Sequence, residues 1–363
     1  MSGIHWKPAR IGFGRLVVAV VAMVAAHTMA LAEDSVRTRD GGTLRGALVS
    51  VSPDGVDIEE SGGEIKKVSI VELDELVLDG EPEALRGARG LLRRRDAAGA
   101  AEEITKIEEA EIRAFDPRIR EEYDFIRIAS NALAATNETA ASWEKQLVDF
   151  LQKNARSHHF YYGSEILGDL RARQGKFVEA SEAYRNLDRG PPALRVRSAA
   201  ARAGLLMRQG KYADAIKEFS AAEKIEANES DAASARQKLE AVLGRARCLA
   251  LSGKAAEGTS VTESVIKDAQ PEDKDLLALA YTTLGTCQRA AGGKDQDAII
   301  SFLTVDLVFN TVPIAHAEAL SNLVELWNAT NQPERARAAS QTLVTTYPNS
   351  SWAAKLSGAE KAS

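Results

Sequence analysis

One feature constrains this chain more than any other: a turn residue that keeps returning. Gly175, Gly210, Gly253, Gly292 and Asn331 stand 35, 43, 39 and 39 residues apart. Each separates two stretches whose apolar residues fall at helical spacing. A repeated helix–turn–helix unit cannot fold alone, because each hairpin carries two apolar faces and must stack on its neighbours to bury both. The spacing therefore predicts a stack of antiparallel helix pairs over residues 161–355. Composition agrees. Aromatic residues make up only 6% of the chain while alanine, the best helix former, is abundant, which suits close helix packing better than a sandwich core.

The clearest copy reads Leu167-Gly168-Asp169-Leu170-Arg171-Ala172-Arg173-Gln174-Gly175-Lys176-Phe177-Val178-Glu179-Ala180, followed by Tyr184 and Pro192. The next has Gly210-Lys211-Tyr212-Ala213-Asp214-Ala215 and Phe219, with Ala203 where the first helix's glycine would stand. A weaker copy carries Ala246, Gly253, Gly258 and Val265; a fourth has Tyr281, Leu284-Gly285, Gly292, Ala298 and Phe302; the last has Asn331, Ala336, Leu343 and Tyr347-Pro348. This pattern resembles the tetratricopeptide repeat family, with Ser164 and Arg171 where the family has Trp and Tyr. The spacing exceeds the family period of about 34 residues, so some helices or linkers are longer. The resemblance implies packing roles for Gly168, Ala180, Tyr184, Ala215, Phe219, Gly285, Ala298 and Phe302. Small residues let paired helices approach, and the aromatic or Leu of the second helix is expected to fill the groove to the next hairpin. Residues 81–160 read as two more divergent hairpins, 84–94 with 97–110 and 117–135 with 140–154.

The stretch 33–80 has a different texture. Short β-branched runs at 36–39, 43–51, 56–59, 65–71 and 73–78 alternate with Asp40-Gly41-Gly42, Pro53-Asp54-Gly55 and Ser61-Gly62-Gly63 turns. The layout resembles SH3-like or Sm-like small barrels. A module this small buries little core and is expected to lean on the helices after it, either as a docking or oligomerisation module or as an N-terminal cap on the stack. Residues 356–363 read as a disordered tail. The fold class is thus mainly α, a solenoid of hairpins preceded by a small antiparallel barrel-like β module.

Residues 1–32 carry Lys7, Arg10 and Arg15, then an unbroken apolar run from Leu16 to Ala26, and end in Ala30-Leu31-Ala32 before Glu33-Asp34. This is the layout of a secretory signal cleaved after Ala32; a retained anchor is the alternative. No cysteine precedes Cys248, which argues against a lipoprotein. The expected location is a bacterial periplasm or cell envelope. The chain's formal charge is −6, and loss of those three cations and no acid takes it to −9, which argues against nucleic acid as the partner.

Residues that carry chemistry are scarce. There is no G-x-S-x-G, phosphate loop, H-E-x-x-H or C-x-x-C. His158 and His159, placed at the start of a helix, would point ~100° apart and fail to chelate one ion as an i, i+4 pair does; with His316 they read as structural or surface residues. No catalytic residue, cofactor or metal is expected. Cys248 and Cys287 fall at matching slots of adjacent hairpins, which predicts two separate buried thiols.

In the family this chain resembles, the first helices line a concave face that binds peptides. That resemblance brings Arg173, Arg208, Arg247 and Arg289 to the face, with Arg197 close by. Guanidinium groups suit carboxylates, so an acidic or C-terminal segment of another protein is one expected ligand; pairing with local acids such as Glu165, Asp169 and Glu240 is the other reading. The family's Lys/Asn carboxylate clamp is not present. The expected function is a noncatalytic protein-interaction scaffold or adaptor. The alternatives are an envelope or outer-membrane assembly factor, an enzyme with its site in 83–160, and an oligomer organised through 33–80.

Overall fold

The computed structural model describes residues 33–228, 231–348 and 350–362; the segment read as an export signal lies outside them. Five strands come first: β1 (Asp34–Thr38), β2 (Thr43–Ser52), β3 (Gly55–Glu60), β4 (Ile65–Ser69) and β5 (Leu73–Val77). All neighbours pair antiparallel in the order β4-β3-β2-β1-β5. Consecutive hairpins lay down the first four strands, and β5 then returns to pair with β1. The module is the small antiparallel five-stranded sheet that the turn spacing predicted, with β4 and β5 as its end strands.

Sixteen α-helices follow among the described residues. Nearest the sheet lie α1 (Glu83–Arg93), α2 (Ala97–Glu103), α3 (Glu109–Ala114), α4 (Pro117–Ala134) and α5 (Ala140–Lys153). The repeats comprise α6 (Phe160–Arg173), α7 (Phe177–Arg185), α8 (Pro192–Arg208), α9 (Tyr212–Glu223), α10 (Ala232–Leu251) and α11 (Ala255–Asp268). They continue with α12 (Lys274–Ala290), α13 (Asp295–Val308), α14 (Pro313–Ala329), α15 (Pro333–Thr346) and α16 (Ser351–Ala362). The last helix runs through the stretch read as a disordered tail. The helix expected over 97–110 is broken instead. A short 3-10 turn follows Glu103, the backbone extends at Ile107 (φ −78°, ψ 120°), and Ile104 and Ile107 both drop into the core. The acids that come next, Glu109 and Glu111, open the first turn of a new helix, where its dipole favours them.

The sheet has no core of its own. Val36, Val56, Ile58, Val68, Leu73 and Leu76 belong to one apolar cluster that continues through Leu85 and Ala88 of α1, Phe125 and Ile126 of α4, and Leu147 of α5 to Leu170 of α6. Polar ties reinforce the join. Asp34 at the start of β1 accepts from Arg118 of α4 at 3.0 Å and from the Asp79 amide at 2.9 Å. Arg93 of α1 donates to Asp74 and Glu75 of β5, each at 3.0 Å. The sheet is thereby built into the end of the stack.

The recurring turn residues are left-handed helix stops: φ is 76° at Gly175, 71° at Gly210, 89° at Gly253, 69° at Gly292 and 59° at Asn331. Behind them the small-residue logic is visible in distances. A Cβ on Gly168 would lie 2.3 Å from the Tyr184 ring, and one on Gly285 would lie 2.8 Å from the Phe302 ring. Those two rings close on their own hairpin, not on the next one as expected, because the glycine leaves room for them; in the second copy the aromatic does reach the next hairpin, where a Cβ on Gly244 of α10 would lie 2.4 Å from Phe219 of α9. Ala180, Ala215, Ala298 and Phe302 have no exposed surface, and Tyr184 and Phe219 are buried beside them.

Candidate functional site

The five arginines singled out from the sequence lie on the first helices of successive hairpins, and four are already engaged. Arg197 of α8 pairs with Glu165 of α6. Arg247 of α10 pairs with Glu318 of α14, passing over α12. Arg289 of α12 donates to Glu325 of α14 at 2.6 Å and to Asn322 at 3.0 Å. Arg173 donates to the carbonyls of Ala132 at 2.7 Å and Leu133 at 3.2 Å, at the C-terminal end of α4, where a cation meets the negative end of the helix dipole. Arg208 lies over the Phe177 ring at 5.7 Å. Neighbouring packed helices lie roughly 8–10 Å apart, so on a flat array α10 and α14 would be about twice that. The Arg247–Glu318 contact therefore spans α12 with two extended side chains, as an inward curve of this face would favour. Of the three local acids, Glu165 takes Arg197. Asp169 instead accepts from the Tyr184 hydroxyl at 2.5 Å, and Glu240 pairs with Arg236 at 3.0 Å.

A second constellation lies where the sheet meets the helices. Glu81, just ahead of α1, is fully buried and accepts both arms of Arg89, at 2.9 and 2.7 Å. The same guanidinium reaches Oε2 of Glu122 on α4 at 3.2 Å. The other oxygen, Oε1, faces Nε2 of His159 at 2.7 Å and Nε2 of His158 at 3.2 Å. The two imidazoles stand 3.8 Å apart, and Phe125 stacks on His159, also at 3.8 Å.

This corrects the reading of the two histidines. They occupy the turn before α6, not the helix, so the ~100° helical separation does not apply. Both rings swing to one carboxylate that sits 37 residues upstream of His159. Burial pushes His158 down to about 3, with the adjacent His159 acting the same way against the pull of Glu122. Burial alone would raise the Glu122 carboxyl; the histidine pair and Arg89 overcome it and hold the group well below the usual carboxylate range.

Two clefts of about 400 and about 470 Å³ flank the cluster, and Glu122 and His158 line both. The smaller is rimmed by Arg39, Arg95 and Arg197 over Tyr161 and Tyr162. Arg95 holds a left-handed backbone, φ 63°, at the α1 stop where the repeats use glycine or asparagine. A side chain there costs on the order of 1–3 kcal/mol. Arg95→Gly is expected to raise stability by about 0.5–1 kcal/mol after glycine's own entropy cost, read by urea unfolding. A decrease would mean that the guanidinium holds the cleft together.

The sequence matches no known family model, and no curated protein matches it. Among solved structures, a tetratricopeptide repeat protein from Parabacteroides merdae overlays with a TM-score of 0.50 at 16% identity, covering 76% of this chain and 96% of that one. The helical body is a tetratricopeptide-repeat-like solenoid. The apo form of RapI (TM-score 0.47, 12% identity, 75% of this chain and 79% of that one) is also similar. So is the apo quorum sensor NprR from B. thuringiensis (0.47, 12%, 72% and 86%).

His316 and the two cysteines of the solenoid serve its packing. His316 of α14 bridges the Tyr347 hydroxyl and Asp306 of α13, each at 2.8 Å. Cys248 and Cys287 are free and fully buried, and burial pushes both thiols up to about 11, which makes them poor nucleophiles. Gly258 explains the weak third copy: a Cβ there would lie 2.5 Å from the Ala246 carbonyl and 3.1 Å from the Cys287 sulfur. The glycine that replaces the usual alanine buys one closer helix contact.

Proposed function

We propose that this chain is a noncatalytic interaction scaffold of the bacterial periplasm or cell envelope, which binds a protein or peptide along the inward-curving face of its first helices. The observation that supports this most is that face itself: an open surface crossed by charged side chains from α6 to α14, two of which meet across an intervening hairpin. A partner carboxylate would have to compete with Glu165, Glu318 and Glu325 for Arg197, Arg247 and Arg289, whereas Arg208 has only an aromatic ring to leave. The partner is therefore expected to read the whole charged lattice rather than a row of free cations. The export layout of residues 1–32 supports the location, and among the described residues no helix is long and apolar enough to cross a membrane. An envelope assembly factor is the narrower form of the same reading.

Photo-crosslinking residues placed at Arg208 and at Leu307, the latter 72% exposed on α13, discriminate between surfaces in the producing cell. Crosslinks to a discrete partner from position 208 and none from 307 are expected. Partner crosslinks only from 307 would move the binding surface to the outer helices. Amino-terminal sequencing of the envelope fraction is expected to begin at Glu33. A second reading, an enzyme with its site at the sheet–helix junction, is favoured by one observation, the convergence of Glu122, His158 and His159 beneath the clefts.

A further inference from the structure

Nothing in an interaction scaffold requires two imidazoles to face one carboxylate oxygen in the interior. The donor atoms of Glu122, His158 and His159 all lie within 4.8 Å of one another. Their side chains are 3, 8 and 11% exposed. Oε1 stands 2.7 and 3.2 Å from the two Nε2 atoms. We propose that these three residues form a binding site for one divalent transition-metal ion of the zinc type.

The geometry is close to what such an ion needs. Metal–ligand bonds of 2.0–2.1 Å in a tetrahedral site put neighbouring donors about 3.3 Å apart; Oε1 already stands near that separation from His158 and about 0.6 Å short of it from His159. The charge arrangement fits as well. Arg89 is matched by the two-armed contact with Glu81, while its reach to Glu122 is longer, at 3.2 Å, and falls on Oε2. Oε1 is left facing the histidines, and Arg89 becomes the outer partner that fixes the carboxylate's orientation.

The donors also choose the ion. Two imidazoles and one carboxylate suit zinc, cobalt or nickel, whereas magnesium and calcium prefer oxygen alone. Three protein ligands leave one position of a tetrahedral ion for water or a partner's group. The clefts of about 470 and about 400 Å³ that reach Glu122 and His158 give that position access. No other polar contact holds His158 in place: its Nδ1 has no hydrogen-bond partner, so its ring is oriented toward Glu122 by the cluster alone.

The test uses the intact mature chain, stripped with a chelator. Zinc is titrated calorimetrically, cobalt by visible absorption, and melting is followed with and without each ion. Binding of one ion per chain, a zinc-dependent rise in Tm and cobalt bands typical of four- or five-coordination are expected. Glu122→Gln and His159→Gln should each weaken binding by at least tenfold, and His158→Gln supplies a third probe if either fails to fold in chelator. No binding at micromolar zinc would overturn the proposal. So would unchanged affinity in all folded variants, or magnesium binding as tightly as zinc.

Discussion

Arg89→Leu is expected to destabilise the protein by about 3–5 kcal/mol, the usual cost of removing one partner from a buried ion pair. Glu81 and Glu122 are 0 and 3% exposed, so neither can recover its lost charge partner from water. Leucine fills much of the volume, which makes the deficit electrostatic rather than a cavity. Arg89→Lys should fall between, since an ammonium cannot reproduce the two-armed contact. A control lies on α15: Arg337 pairs with Glu334 in full solvent contact, and Arg337→Ala should change stability by no more than about 0.5 kcal/mol. Chemical unfolding monitored by circular dichroism checks all three. Equal, small effects at Arg89 and Arg337 would mean that the junction is hydrated and not the buried knot described above.

The second large effect belongs to the far end of the stack. Phe302 of α13 has no exposed surface, and Phe302→Ala is expected to cost about 3–5 kcal/mol through lost burial and the cavity left behind. Its ring sits where a Cβ on Gly285 would be, 2.8 Å away, so Gly285→Ala should cost about 1–3 kcal/mol by overpacking. The two changes are coupled: with the ring gone, the added methyl meets empty space. The double variant is therefore expected to be more stable than the sum of the single losses predicts, by about 1 kcal/mol or more. In a quasi-one-dimensional stack the damage stays local. Hydrogen exchange should quicken in α12 to α15 before it does in α4. Strict additivity would contradict the ring-on-glycine contact.

How far the sequence could be read differed by kind of feature. Strands and repeat turns were legible because their signals are local: alternating β-branched residues around Asp-Gly and Ser-Gly-Gly turns, and glycines that needed a left-handed backbone. The seating of the aromatics was only partly legible: Phe219 reaches Gly244 of the next hairpin as expected, whereas Tyr184 and Phe302 close on Gly168 and Gly285 of their own hairpins, where the missing Cβ leaves room for a ring. The break after Glu103 was not, because it depends on Ile104 and Ile107 finding a core supplied partly by the sheet. The junction cluster was hidden for the same reason. Glu81, Arg89, Glu122 and His159 span 79 positions, and no periodic rule joins them. His158 and His159 were judged by helix geometry although they precede the helix. The arginines do lie on first helices, but their acids come from other hairpins that no local rule names: the one before for Arg197, the next for Arg289 and the one beyond for Arg247.

All of this rests on the sheet being the built-in end of the solenoid and not a detachable module. Native-state hydrogen exchange on the intact chain measures that directly. Amides of Val36, Val56 and Ile58 in the sheet and of Phe125 and Ile126 in α4 share one apolar cluster, so they are predicted to exchange with the same opening free energy and to lose protection together in Arg89→Leu. Sheet amides that open at clearly lower free energy, with α4 unaffected, would contradict the account.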